Sequence, residues 1–172
     1  MDSTSEARLA QICPTLADRI RLLATQLAEE GVTLRVTAGL RPWSEQQALY
    51  AQGRTIPGKI VTDAQAGHSW HQFGLAVDVA PFDAEGKPDW NAGDYCWKRI
   101  ILLGERLGMV SGSTFKDCPD NPHFQMTGSF PVSPDDEVRL IFLHAGMIAV
   151  WVESGLYKPT IPNTEITQGE KS

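Results

Sequence analysis

Apolar residues recur at helical spacing from Pro14 to Glu30, where Leu16, Ile20, Leu23 and Leu27 share one face. Pro14 suits a first helical position and Gly31 follows the end, so the spacing predicts a helix. The period then changes. Val32, Leu34 and Val36 alternate with Thr33, Arg35 and Thr37, as in a half-buried strand, until Gly39 interrupts it. Ser44-Glu45-Gln46-Gln47 has the form of a capping box that would open a short helix ending near Gly53. Arg54 to Gly67 lacks either period and reads as an irregular loop. Gly74 to Val79 returns to alternation, with Leu75, Val77 and Val79 on one face and Gly74, Ala76 and Asp78 on the other. Asp83 to Gly86 reads as a turn. Asp94 is placed to cap a helix running to about Leu107, with Trp97, Ile100, Ile101 and Leu107 as its apolar stripe. A loop rich in Gly, Ser and Pro follows, then a short strand over His123 to Met126. Ser133-Pro134-Asp135-Asp136 opens a long helix through about Ser154. Helices flanking a few central strands predict an α+β domain with an antiparallel sheet.

Length and composition narrow the class. A chain of 172 residues with 42% hydrophobic and 21% charged positions is one globular domain of ordinary size. No repeat or linker divides it, which places one domain over 1–158 and a polar tail over 159–172. Fifteen Lys and Arg against 21 Asp and Glu leave a net charge of -6, the wrong balance for a nucleic-acid binder. No apolar run approaches the ~20 residues of a membrane span. Met1 to Glu6 is polar and acidic, unlike a signal peptide, so synthesis in the cytoplasm is expected. Cys13, Cys96 and Cys118 form no C-x-x-C pair and read as reduced thiols. The chain is expected to act as a monomer.

Two clusters carry candidate chemistry. His71 and Asp78 lie seven residues apart, the carboxylate on a strand face whose neighbours Gly74 and Ala76 are small and would leave it open space. Asp120 lies three residues before His123, with Pro122 stiffening the approach. Two imidazoles and one carboxylate from His71, Asp78 and His123 suit a catalytic zinc with its fourth position left for water. Asp120 would then be free to take a proton from that water. His68 is left out, because a filled fourth position would exclude water. His144 reads as a packing or surface residue, and Cys118 as a loop thiol with no histidine spaced to activate it.

Ser69, His71, Gly74, Ala76 and Asp78 fit S-x-H-x-x-G-x-A-x-D, and Pro122-His123-Phe124-Gln125 follows downstream. With Gly39-Leu40-Arg41 and Leu49 to Arg54 upstream, the chain from Pro14 to Gly128 resembles the zinc peptidases related to D-alanyl-D-alanine carboxypeptidases and dipeptidases. The short form and Asp120 look most like the L-alanyl-D-glutamate endopeptidase branch, which includes phage endolysins and cell-wall hydrolases. The resemblance implies zinc on His71, Asp78 and His123, and Asp120 as general base. It implies that Arg41 binds a substrate carboxylate or stabilises the oxyanion, although on sequence alone a surface ion pair serves Arg41 equally. Ser69 would bind substrate or its own loop, and Gln125 would orient His123. Met109 to Thr114 departs from the Trp and Gly residues of many relatives, which leaves one pocket wall open.

The implied substrate is the peptide stem of bacterial peptidoglycan, reached through holin pores or another export route. Those stems carry carboxylates, so an acidic protein must recognise them locally, through zinc and a cation. A carboxypeptidase that trims terminal D-alanine and a catalytically silent wall-binding module are the alternatives.

Overall fold

The computed structural model describes residues 1–116 and 118–160; most of the expected polar tail therefore lies outside the described residues. Among the described residues, five α-helices surround a four-stranded antiparallel sheet, as the α+β reading expects. The helices are α1 (Ser3–Leu9), α2 (Pro14–Glu29), α3 (Trp43–Ala51), α4 (Asp94–Arg106) and α5 (Asp136–Glu153). The strands are β1 (Thr33–Ala38), β2 (Ala76–Phe82), β3 (Val110–Ser111) and β4 (His123–Gln125), in the spatial order β1-β2-β4-β3.

The core forms where the apolar stripe of α2 meets β1 and α4. Leu16, Ile20, Leu23 and Leu27 are fully buried with Leu75, Val77 and Val79. Removing each such side chain from water contributes on the order of 1.5–3 kcal/mol, which explains why both periodicities survive folding. In α4, Trp97 and Ile100 are buried as expected, but Leu103 and Gly104 complete the buried stripe in place of Ile101 and Leu107. Gly93, not Asp94, precedes this helix, and no side chain caps it.

Several local expectations give way to tertiary contacts. The Ser3–Leu9 helix has no long apolar stripe, yet Asp2 caps it by accepting from the Ser5 N–H at 2.8 Å. The capping box is not used: α3 starts at Trp43 without a side-chain cap, and Gln46 is fully buried. Gly74 does not share the strand face of Asp78, because it closes the 3-10 turn and β2 starts only at Ala76. A Cβ at Gly74, which sits at φ 64°, would meet Met147 Sδ and Trp151 Cζ2 at 3.1 Å, because α5 packs there. That last helix is itself interrupted at Gly146, where φ is 79°.

Sheet register positions the chemistry. Asp78 on β2 lies directly opposite His123 on β4, and on its other side opposite Ala38 on β1. Cross-strand partners hold their Cβ atoms ~4.5–5.5 Å apart. An irregularity between Val36 and Ala38 shifts the end of β1 just before Gly39.

Candidate metal centre

Asp78 and His123 meet through sheet pairing, while His71 arrives from a short 3-10 turn, Trp70–Phe73, directly ahead of β2. His71 Nε2 lies 3.1 Å from Asp78 Oδ1 and 3.2 Å from His123 Nδ1, and His123 Nδ1 lies 3.3 Å from Asp78 Oδ1. The sequence reading had grouped these three residues, and among the described residues they form the one cluster of this kind.

The outer partners decide what the three atoms present to one another. His71 Nδ1 lies 2.8 Å from the Gly39 carbonyl oxygen, which only accepts, so the proton of a neutral His71 sits on Nδ1 and Nε2 carries a lone pair. Gln125 Nε2 donates to the Val132 carbonyl at 3.0 Å, which turns Gln125 Oε1 toward His123 Nε2, also at 3.0 Å. The proton of a neutral His123 therefore sits on Nε2, and Nδ1 carries a lone pair. Two imidazole lone pairs and a carboxylate oxygen converge with no donor among them. Lone pairs in this arrangement repel unless a cation stands between them. Donor atoms arranged tetrahedrally around zinc stand about 3.3–3.5 Å apart, close to the triangle observed. The residues fit the metal.

Protonation follows the same geometry. With no cation between them, a proton on an imidazole takes that place: burial would push the Asp78 carboxyl up, but the charge of a protonated His71 and hydrogen bonds from the imidazoles in their protonated form hold it well below the ordinary carboxylate range. Burial also opposes charge on His123, yet the hydrogen bond and charge of Asp78 outweigh it and raise the imidazole above its ordinary value.

Arg41 is held from three directions. Its backbone N–H donates to the His71 carbonyl at 3.0 Å, Nη2 reaches Asp78 Oδ2 at 3.3 Å, and Nη1 donates to Gln46 Oε1 at 2.9 Å. The two side-chain contacts use two of the five N–H donors of a guanidinium. Gln46 passes the constraint outward, since its Nε2 donates to the Ala64 carbonyl at 2.7 Å. Arg41 is thus a mostly buried cation tied to the site, with the exposed Glu45 carboxylate 3.9 Å from its Nε. Gln46 was missed as a site residue; the signal was its place three residues after Trp43 and four before Tyr50, on the inward stripe of α3.

Asp120 stands on the other flank. Its N–H donates to the Gly112 carbonyl at 2.9 Å, and its own carbonyl accepts from His123 N at 3.2 Å. A Cβ at Gly112 would lie 2.6 Å from the Asp120 carbonyl and 2.8 Å from His123 Cβ. Only glycine permits so close an approach, so the segment departing from the relatives' pattern is also the one that seats Asp120. Burial first, then the charge of Asp78, raises the Asp120 carboxyl above its ordinary value. The ring of Phe115, from the same loop, lies 5.4 Å from that of His123.

The remaining candidates fall outside the triangle. Ser69 precedes the 3-10 turn, its carbonyl accepting from Gln72 N at 3.0 Å. His68 is exposed, with Nδ1 3.4 Å from Arg139 Nη1. His144 and Cys118 are exposed.

In this small α+β domain two histidines and an aspartate converge near a second carboxylate and offer a site that could hold one metal ion. Two family models, both described as D-alanyl-D-alanine carboxypeptidase, match residues 10–93 and 62–126. The peptidoglycan L-alanyl-D-glutamate endopeptidase CwlK of Bacillus subtilis is 33% identical over 120 residues, which cover 66% of this chain and 72% of that protein. The chain belongs to this peptidase family and is a hydrolase. Among solved structures, the L-Ala D-Glu endopeptidase ChiX of Serratia marcescens is 28% identical, with a TM-score of 0.57 over 74% of this chain and 89% of that one. A mutant of the vancomycin resistance D,D-pentapeptidase VanY, in complex with Zn(II), shares the fold at 16% identity and a TM-score of 0.51, covering 78% of this chain and 80% of that one.

Proposed function

We propose that this peptidase cuts the peptide stem of bacterial peptidoglycan at the bond between L-alanine and D-glutamate, acting as a single chain at the cell wall. The likeness to CwlK over most of that protein's length supports the choice of bond. His71, Asp78 and His123 would hold zinc, which supplies Lewis acidity, lowering the pKa of water toward ~7 and polarising a carbonyl. Asp120 accepts the proton of the attacking water and returns it to the leaving amine; a carboxyl raised by burial suits that task at neutral pH. Arg41 holds Asp78 Oδ2, leaving Oδ1 for the metal, and its free N–H donors stabilise the oxyanion or seat a substrate carboxylate. Ser69, ahead of the turn that carries His71, contributes a hydroxyl to substrate. No helix among the described residues is long and apolar enough to cross a membrane; passage to the wall would be by holin pores or another export route.

Digestion of purified peptidoglycan with zinc-loaded and chelator-treated protein, followed by mass analysis of the products, tests this reading. Zinc-dependent release of stems beginning with D-glutamate is the expected result. Release of free D-alanine alone would establish a carboxypeptidase instead, and intact peptidoglycan would leave only a wall-binding role.

A further inference from the structure

Both histidine-bearing segments are tied to one backbone atom that lies beyond the last residue matched by either family model. The Val132 carbonyl accepts from Trp70 Nε1 at 2.7 Å and from Gln125 Nε2 at 3.0 Å. Trp70 immediately precedes His71; Gln125 follows His123 by two residues on the same strand face. The turn that presents Val132 is itself braced. Phe130 N donates to the Thr127 carbonyl at 3.1 Å, Thr127 Oγ1 donates back to the Phe130 carbonyl at 3.2 Å, and the Phe130 ring stacks on Trp70 with centroids 5.9 Å apart. Behind it, Trp151 Nε1 on α5 donates to the Phe73 carbonyl at 2.8 Å, at the end of the turn that carries His71.

We propose that the Phe130–Val132 turn is the outer anchor of the metal seat, acting through Gln125 and Trp70 as positioning residues. A glutamine amide has a donor end and an acceptor end, and it can present either one to His123. With the Val132 carbonyl in place, Nε2 has an acceptor to meet, and only Oε1 can face His123 Nε2. Without that carbonyl the amide is free to rotate. It would then present an N–H to His123 Nε2, drive the imidazole proton to Nδ1, and remove the lone pair from the seat. The Trp70 bond pins the same carbonyl from the other side, so the two histidines share one reference point. His71 needs no side-chain intermediary, because the Gly39 backbone fixes its tautomer directly.

This inference rests on the metal reading, and the test separates the two. Zinc affinity is measured by competition with a chromophoric chelator for the wild type, Gln125→Met and Gln125→Glu. The imidazole nitrogens of the metal-free proteins are observed by proton–nitrogen NMR at a pH where both rings are neutral. Gln125→Met, which offers His123 no acceptor, should weaken zinc binding about 10–100-fold, as loss of an outer-shell partner does elsewhere. Gln125→Glu, which keeps an acceptor for His123 Nε2 but loses the donor to the Val132 carbonyl, should fall between Gln125→Met and the wild type. The wild-type spectrum should show His123 protonated on Nε2, and Gln125→Met should show a mixture of tautomers. Wild-type affinity in Gln125→Met, or an Nδ1-protonated His123 in the wild type, would overturn the proposal. Should Gln125→Met fail to fold, the wild-type tautomer decides. Absence of zinc binding by the wild type would sink the metal reading, while the tautomer would still judge the anchor.

Discussion

Arg41 and Asp120 flank the same three ligands and are held in opposite ways. The Arg41 guanidinium is tied to Asp78 and Gln46, and through Gln46 to the loop at Ala64. The backbone of Asp120 is bound on both sides by Gly112 and His123, yet no hydrogen bond from a described side chain reaches its carboxylate. A charged group with its partners in place transmits position; a half-buried carboxylate without them is available to take a proton. The difference sets the group proposed to move a proton apart from those that shape the site.

Replacing Asp120 should have the largest effect. Asp120→Ala is expected to keep zinc and the fold while losing about 10²–10⁴-fold in kcat, the usual contribution of a positioned acid–base group. Zinc stoichiometry and steady-state kinetics on a muropeptide check both halves. A fully active Asp120→Ala protein would remove the distinction between the two flanks.

The Arg41 side should respond more gently and in a different quantity. Gln46→Met leaves Arg41 Nη1 and the Ala64 carbonyl without their partner, and a buried unsatisfied group costs about 1–3 kcal/mol. A lower Tm is expected, with about a ten-fold loss of activity as Arg41 and Asp78 drift. An unchanged KM with falling kcat would place the loss in the arrangement of Asp78 and not in substrate capture.

Much of this site was legible in the sequence because it depends on strand parity. Alternation placed Asp78 away from the core face of β2 and paired His123 with Gln125, and both survive in the fold. What stayed hidden depends on contacts distant along the chain. Ser44 and Gln47 fit a capping box locally, but the fold buries the intervening Gln46 against Arg41 and the Ala64 carbonyl, contacts that no local pattern announces. The small residue at Gly74 suggested space, and only the return of α5 fills it with Met147 and Trp151. The register that sets Asp78 against His123 joins segments 45 residues apart, and the two-residue β3 is too short to carry a period.

The smallest expected effect is graded. Metal-free His123 holds its proton to higher pH than an ordinary imidazole, and that proton competes with metal for the ring. Zinc affinity should therefore rise with pH and level off above the raised imidazole pKa. Below it, each unit of acidification should weaken binding by up to about ten-fold for the one proton displaced. Asp78, already ionised, adds nothing to this slope above the carboxylate range. Chelator competition across neutral pH measures it, and a flat profile would contradict the raised His123.

The most direct test of the central claim is anomalous diffraction at the zinc edge from crystals of the zinc-loaded protein. The account predicts one peak inside the triangle of His71 Nε2, Asp78 Oδ1 and His123 Nδ1, with no sulfur ligand. A peak at Cys118 or His68, or contact through the other nitrogen of either ring, would contradict it.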